Sequence, residues 1–163
     1  MDVTAKIIVR SASNADCERV QTLVFGVLRE YGLAPDLEGT DRDIADIETH
    51  YIARGGVFEL IEDFQGDLLG TVGLYPMNTD TVELRKMYFS KQLRGRGMGK
   101  KTLQRMIEKA RALGYKKIYL ETASVLKEAV ALYEKFGFLP TDEKHTPRCD
   151  AAYFLELGRI SKK

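Results

Sequence analysis

Three glycines fall at every second position in QLRGRGMGK, Gln92 to Lys100, between cationic residues. Gly95, Gly97 and Gly99 are poor helix formers, yet a helical apolar pattern begins directly behind them. A helix start offers unpaired N–H groups and a partial positive charge. Glycines let such a backbone close on an anion without Cβ atoms in the way. Arg94, Arg96 and Lys100 add charge around it. The chemistry that fits is phosphate binding; a flexible charged loop between strand and helix is the plainer alternative.

Two familiar nucleotide patterns fail here. A P-loop needs G-x-x-x-x-G-K-[ST], but Lys101 follows Lys100 and no glycine lies five before Gly99. The G-x-G-x-x-G pattern fails because the third glycine comes too early, although Glu121 is near the distance expected of a ribose-binding acid.

Other reactive residues are scattered. Tyr133 shares a helical face with Ala129, Leu132 and Phe136, so periodicity alone reads it as core. Glu83 lies in a strand pattern, and Arg85, two residues on, is an available salt-bridge partner. In the absence of a bulge, alternation puts Glu83, Arg85, Met87 and Phe89 on one side. Cys149 has no base and orienting group around it in sequence. Cys17, Cys149, His50 and His145 share no metal-ligand spacing, so neither a metal site nor a disulfide framework is expected.

The elements that position these residues follow from pattern. Lys6–Arg10 reads as a strand. Ser13 and Asp16 have capping-box spacing ahead of a helix through Cys17, Val20, Val24, Val27, Leu28 and Tyr31, ended by Gly32. Thr40 and Asp43 repeat that spacing before a second helix marked by Ile44, Ile47 and Tyr51, stopped at Gly55-Gly56. Three strands, 57–63, 68–76 and 81–89, are separated by turn residues and read as an antiparallel meander. A helix from about Met98 to Leu113 ends at Gly114. A strand over 116–123 precedes a helix over 125–136 that Ser124 could cap and Gly137 closes. A last strand covers 151–157. The order β-α-α-β-β-β-α-β-α-β predicts a mixed sheet in a single domain over 1–163.

Bulk properties agree. The chain has 163 residues, 44% hydrophobic and 30% charged, with 25 basic against 24 acidic residues and a net charge of +1. Nothing in that balance points to nucleic acid. MDVTAKIIVR lacks the apolar run of a signal peptide, and no stretch approaches a membrane span, so a cytoplasmic protein is expected.

QLRGRGMG behind a strand ending KMYF resembles the acetyl-CoA loop of the GCN5-related N-acetyltransferases (GNAT), Q/R-x-x-G-x-G/A. VELRKMYF is similar to that family's fourth strand, ALGYKKIYLETA to its third helix and fifth strand, and LKEAVALYEKFGF to its fourth helix and following turn. The close likeness spans about 82–138; the first 80 residues agree in element order only.

The resemblance implies the GNAT acyl-CoA N-acyltransferase fold, an α/β domain with a mixed sheet, and acetyl-CoA as co-substrate. It implies pyrophosphate binding by backbone N–H groups of Arg94, Gly95, Arg96, Gly97, Met98, Gly99 and Lys100. Met87 and Phe89 would offer backbone contacts to the pantetheine arm, and Ser124 would lie near it when not capping. Tyr133 matches the family's usual acid, and Glu83 a position where some members carry a base, with water chains as the alternative. Arg10, Asp36, Glu38, His50 and Tyr51 fall in the region that lines the acceptor pocket. The activity implied is transfer of acetyl to a small-molecule or peptide amine by direct attack. A non-catalytic CoA-binding module on the same fold is the competing reading. No nucleic-acid or membrane partner is expected, and self-association as a homodimer, the acceptor and the preferred acyl group stay open.

Overall fold

The computed structural model describes residues 6–158. The reading of the first residues as leader-free lies outside that range, in part. Among the described residues no helix is long and apolar enough to cross a membrane.

Among the described residues, seven strands form one mixed sheet: β1 (Ile7–Ser11), β2 (Val57–Asp63), β3 (Leu68–Pro76), β4 (Thr81–Phe89), β5 (Lys117–Thr122), β6 (Leu139–Thr141) and β7 (Ala151–Glu156). Their order is β1-β2-β3-β4-β5-β7-β6. Only β4 and β5 run parallel; the other neighbours are antiparallel. The expected meander is β2-β3-β4. The short β6 escaped the sequence reading: it is three residues long and contains Pro140, which a sheet accepts at its edge.

Alternation along the strands feeds two cores. On one face α1 (Cys17–Glu30) buries Cys17, Val20, Val24 and Leu28 against Phe58 and Leu60. On the other, α2 (Met98–Ala112) and α3 (Lys127–Lys135) pack Leu103, Met106, Ala110 and Tyr133 onto Val72, Leu74, Val82, Leu84, Ile118 and Leu120. Each fully buried aliphatic side chain contributes roughly 1.5–3 kcal/mol. Glu59, between Phe58 and Leu60 and therefore on the α2 side of β2, is buried and pairs with Arg105 and Lys109 of α2, which fixes that helix against the sheet.

The second helix expected around Ile44–Tyr51 is instead a 3-10 turn (Arg42–Ala45) and a single π turn (Glu48–Ile52). The capping box does not form. Thr40 N–H donates to Asp36 Oδ2 (3.1 Å), while the Asp43 carboxylate turns inward to Tyr51 and Lys86. Asp46, at φ −151°, breaks the segment between the two turns.

Candidate functional site

β4 and β5 pair only from Thr81–Lys117 to Glu83–Tyr119. Beyond that point β4 stays with β3, and β5 stays with β7 through Thr122. The two strand pairs therefore part, and a cleft of about 740 Å³ opens between them. Gly95, Gly97 and Met98 line one end; Glu83, Arg85 and Glu121 line the other; Tyr133 lies in the wall.

A bulge shapes the β4 side. The register with β3 shifts between Thr71↔Tyr88 and Gly73↔Arg85, so Val72 faces an extra residue. Lys86 supplies it and is the described non-glycine residue with positive φ, +56°. Thr71 Oγ1 donates to Lys86 O (2.7 Å) in place of a ladder bond. The bulge overturns simple alternation. Arg85 packs on Tyr75 and Lys86 reaches Asp43, on the α1 side, while Met87 packs with the α2–α3 core and Phe89 with Ile61, Leu69, Leu93 and Met98. Glu83 and Arg85 thus share a face that Met87 and Phe89 do not.

Lys86 is 9% exposed and anchors a buried ionic chain. Its Nζ lies 3.0 Å from Asp43 Oδ1 and 3.3 Å from Asp41 Oδ1. Arg148 clasps Asp41 through two bonds of 2.7 and 2.8 Å and donates to Ala34 O. Tyr51 O–H donates to Asp43. Although burial opposes it, Arg148 and Lys86 hold the Asp41 carboxyl below its ordinary range. The loops around residues 34–43 and 145–149 are thereby tied to the bulge. None of Thr71, Asp41, Asp43 or Lys86 was singled out from sequence for the site. The adjacent cations of Arg85-Lys86, inside an otherwise half-apolar strand, were the available signal, since one of two neighbours must face a core unless the strand bulges.

The glycine loop leads into α2. Gly97 is the residue before the helix, in the left-handed region at φ +77°, and Gly95 is at +74°. A Cβ on either would meet no protein atom within 4 Å, so both border open space. The first helical bond runs from Lys101 N–H to Gly97 O (3.2 Å), which leaves the amides of Met98, Gly99 and Lys100 without helix acceptors. The residues therefore fit an anionic diphosphate. Gly99 has a further reason to be bare: a Cβ there would stand 3.3 Å from Leu132 of α3.

Three expected contacts differ. Arg94 N–H is taken by Lys91 O (3.3 Å), and its guanidinium by Glu30. Phe89 O accepts from Arg94 Nε (2.9 Å) rather than standing open. Ser124 neither caps α3, which begins after Leu126, nor lines the cleft; its N–H and O–H both donate to Asp150 at 2.6 Å. Arg96 and Lys100 are exposed beside the loop.

Tyr133 is 6% exposed and packs beside Phe138, at 5.7 Å between ring centroids. Burial, with Tyr88 and Cys149 nearby, pushes its phenol well above the ordinary value. It stays protonated at neutral pH. Burial also raises the Glu83 carboxyl; Arg85 pulls it down and Glu121 pushes it further up. Burial drives the Cys149 thiol up to about 11, so it is held as a thiol rather than a thiolate nucleophile. Of the residues named for the acceptor region, Asp36 and His50 line the cleft. Arg10 is held in a separate cluster with Asp16 and Glu62, Glu38 is exposed, and Tyr51 is fully buried in the α1 core.

Comparison with known proteins places this arrangement. The acetyltransferase (GNAT) family pattern matches residues 24–138. YjgM of Escherichia coli, described as an uncharacterized N-acetyltransferase, is 35% identical over 136 residues, covering 80% of this chain and 81% of that protein. An acetyltransferase of the GNAT family from Staphylococcus aureus Mu50 has the same fold, with a TM-score of 0.87 at 22% identity over 93% of this chain and 99% of that one. The yncA protein of Salmonella typhimurium, solved with its cofactor acetyl-CoA, superposes with a TM-score of 0.73 at 20% identity, over 96% and 97% of the two chains. The chain belongs to the GNAT acetyltransferase family and is an acyltransferase that takes acetyl-CoA as co-substrate.

Proposed function

We propose that the protein transfers acetyl from acetyl-CoA to an amine by direct attack, with Glu83 as base and Tyr133 as acid. The observation that carries this reading is the parting of β4 from β5. One continuous cleft then joins a helix N-terminus suited to a diphosphate with a raised carboxyl at its far end and a phenol in its wall. Acetyl-CoA supplies an activated thioester carbonyl. The backbone amides of Met98, Gly99 and Lys100, with Gly95, Arg96 and Gly97 around them, hold the diphosphate. The Met87 backbone, on the strand edge that β5 has left, serves the pantetheine arm.

In the transfer a C–N bond forms and the C–S bond breaks. Glu83, directly or through water, takes the proton that the amine loses. Tyr133 gives its proton to the departing thiolate and recovers one from solvent. The products are an N-acetylated amine and free CoA thiol, and no acyl-enzyme forms on Cys149. The protein supplies proximity and correctly poised protons.

The test uses the purified chain. Acetyl-CoA should raise its thermal unfolding midpoint with concentration. A panel of amines assayed for free thiol should contain at least one acceptor whose product carries a single acetyl group on nitrogen. Binding of acetyl-CoA with no amine acetylated would point to the CoA-binding module instead.

A further inference from the structure

Glu83 and Arg85 use only part of one another. Arg85 Nε donates to Glu83 Oε1 at 2.8 Å, and Nη2 lies 2.8 Å from the same oxygen. Glu83 Oε2 and Arg85 Nη1 have no partner among the described residues, and neither is sealed from solvent as Ser90 Oγ, Thr102 Oγ1 and Arg105 Nη2 are. The guanidinium lies over the Tyr75 ring, 3.7 Å from its centroid, which fixes its plane. Its side chain is 29% exposed, and the residue lines the cleft. A spare carboxylate oxygen and a spare guanidinium nitrogen thus stand on one ion pair at the end of the cleft away from the glycine loop.

Neighbouring charges are already engaged. Lys86 is held by Asp41 and Asp43, and Arg148 by Asp41. Glu121 Oε1 accepts the N–H groups of both His145 and Thr146. Asp36 and Glu128 also line the cleft, but the spare Arg85 cation at its far end favours an acceptor with an anionic group over a polycation. An acceptor without an anionic group would leave the Arg85 donors unused in a partly desolvated place, a loss that such sites penalise.

We propose that the acceptor is a small amine carrying its own carboxylate close by, an amino-acid-like molecule. Arg85 Nη1 receives the carboxylate, and Glu83 Oε2 faces the amine. Arg85 is then a specificity-determining residue, its planar fork suited to carboxylate in a way that a lysine is not. The inference rests on the transferase reading above.

The experiment compares matched sets on the unaltered protein: the common L-amino acids, their α-amides, their decarboxylated amines, and spermidine, with free-thiol release and product mass as readouts. At least one free amino acid should exceed its amide and its decarboxylated amine by about 10- to 100-fold in kcat/KM, the range of one charge-assisted bond. Arg85→Met should shrink that preference to a few-fold by raising acceptor KM, with CoA affinity unchanged, and Arg85→Lys should restore part of it. An amide, a decarboxylated amine or spermidine used as well as every amino acid would overturn the inference while the transferase reading stood. Failure of every amine, with acetyl-CoA bound, would remove both. The substrate comparison decides the matter even where an Arg85 variant fails to fold.

Discussion

Lys86 Nζ lies 3.0 Å from Asp43 Oδ1 in a place where both side chains are nearly sealed from water, at 6% and 3% exposure. The pair joins two features that are distant in sequence: the bulge that turns β4 and the turn that replaces the expected second helix. Asp41 extends it to Arg148, so both loops beside the cleft depend on one buried lysine. A buried ion pair is weak evidence of net stabilisation, but removing one partner strands the other.

Lys86→Met should therefore lower stability by about 3–5 kcal/mol, the usual cost of leaving a buried charge unpaired. Urea unfolding measures it. Asp43→Asn added to Lys86→Met should recover part of the loss, because the stranded carboxylate is gone. A single variant as stable as the parent would mean that Asp41 and Asp43 are satisfied by Arg148 and Tyr51 alone.

Gly97→Val should weaken CoA binding by about 10- to 100-fold, the value of one charge-assisted hydrogen bond lost from the diphosphate. The φ of +77° also makes the substitution strained, which costs about 1–3 kcal/mol in stability. Gly114→Val is the control. Gly114 has φ +91° and open space around it just past the end of α2, away from the cleft. It should lose stability without losing CoA. Equal CoA affinity in both variants would remove Gly97 from the binding loop.

Much of this architecture was legible because its signals are local. The meander announced itself through turn residues, α1 and α2 through apolar spacing, and the start of α2 through the glycines ahead of it. What was not legible depends on contacts far along the chain. The turn at Arg42–Ala45 is decided by Lys86, 43 residues from Asp43. The helix cap expected of Ser124 does not form, because Asp150, 26 residues away, takes its hydroxyl. Phe89 O was expected to be open, and Arg94 folds back to occupy it.

Tyr133→Phe should cut kcat by roughly 10²- to 10⁴-fold and leave acetyl-CoA affinity nearly unchanged. The hydroxyl matters while charge grows on sulfur, not in binding. The ring packs against Phe138, and phenylalanine retains that contact, so the unfolding midpoint should barely move. Single-turnover rates give the chemical step directly. A normal rate in that step would assign Tyr133 to packing alone.

Glu83→Gln tests the base, and pH separates its two readings. Glu83 is effective only when ionised, and burial raises its pKa, so activity should climb with pH along a limb above the ordinary carboxylate range. Glutamine keeps an oxygen for Arg85 but takes no proton; the rate should fall about 10²- to 10⁴-fold and that limb should vanish. Stability has its own sign. A carboxyl raised on folding binds its proton more tightly in the folded chain, so its stabilising contribution is full below the unfolded pKa and is lost as pH rises through the folded one. Glu83→Gln should flatten that fall in stability. If stability flattens while the activity limb stays in place, Glu83 serves Arg85 only, and the proton leaves through water instead.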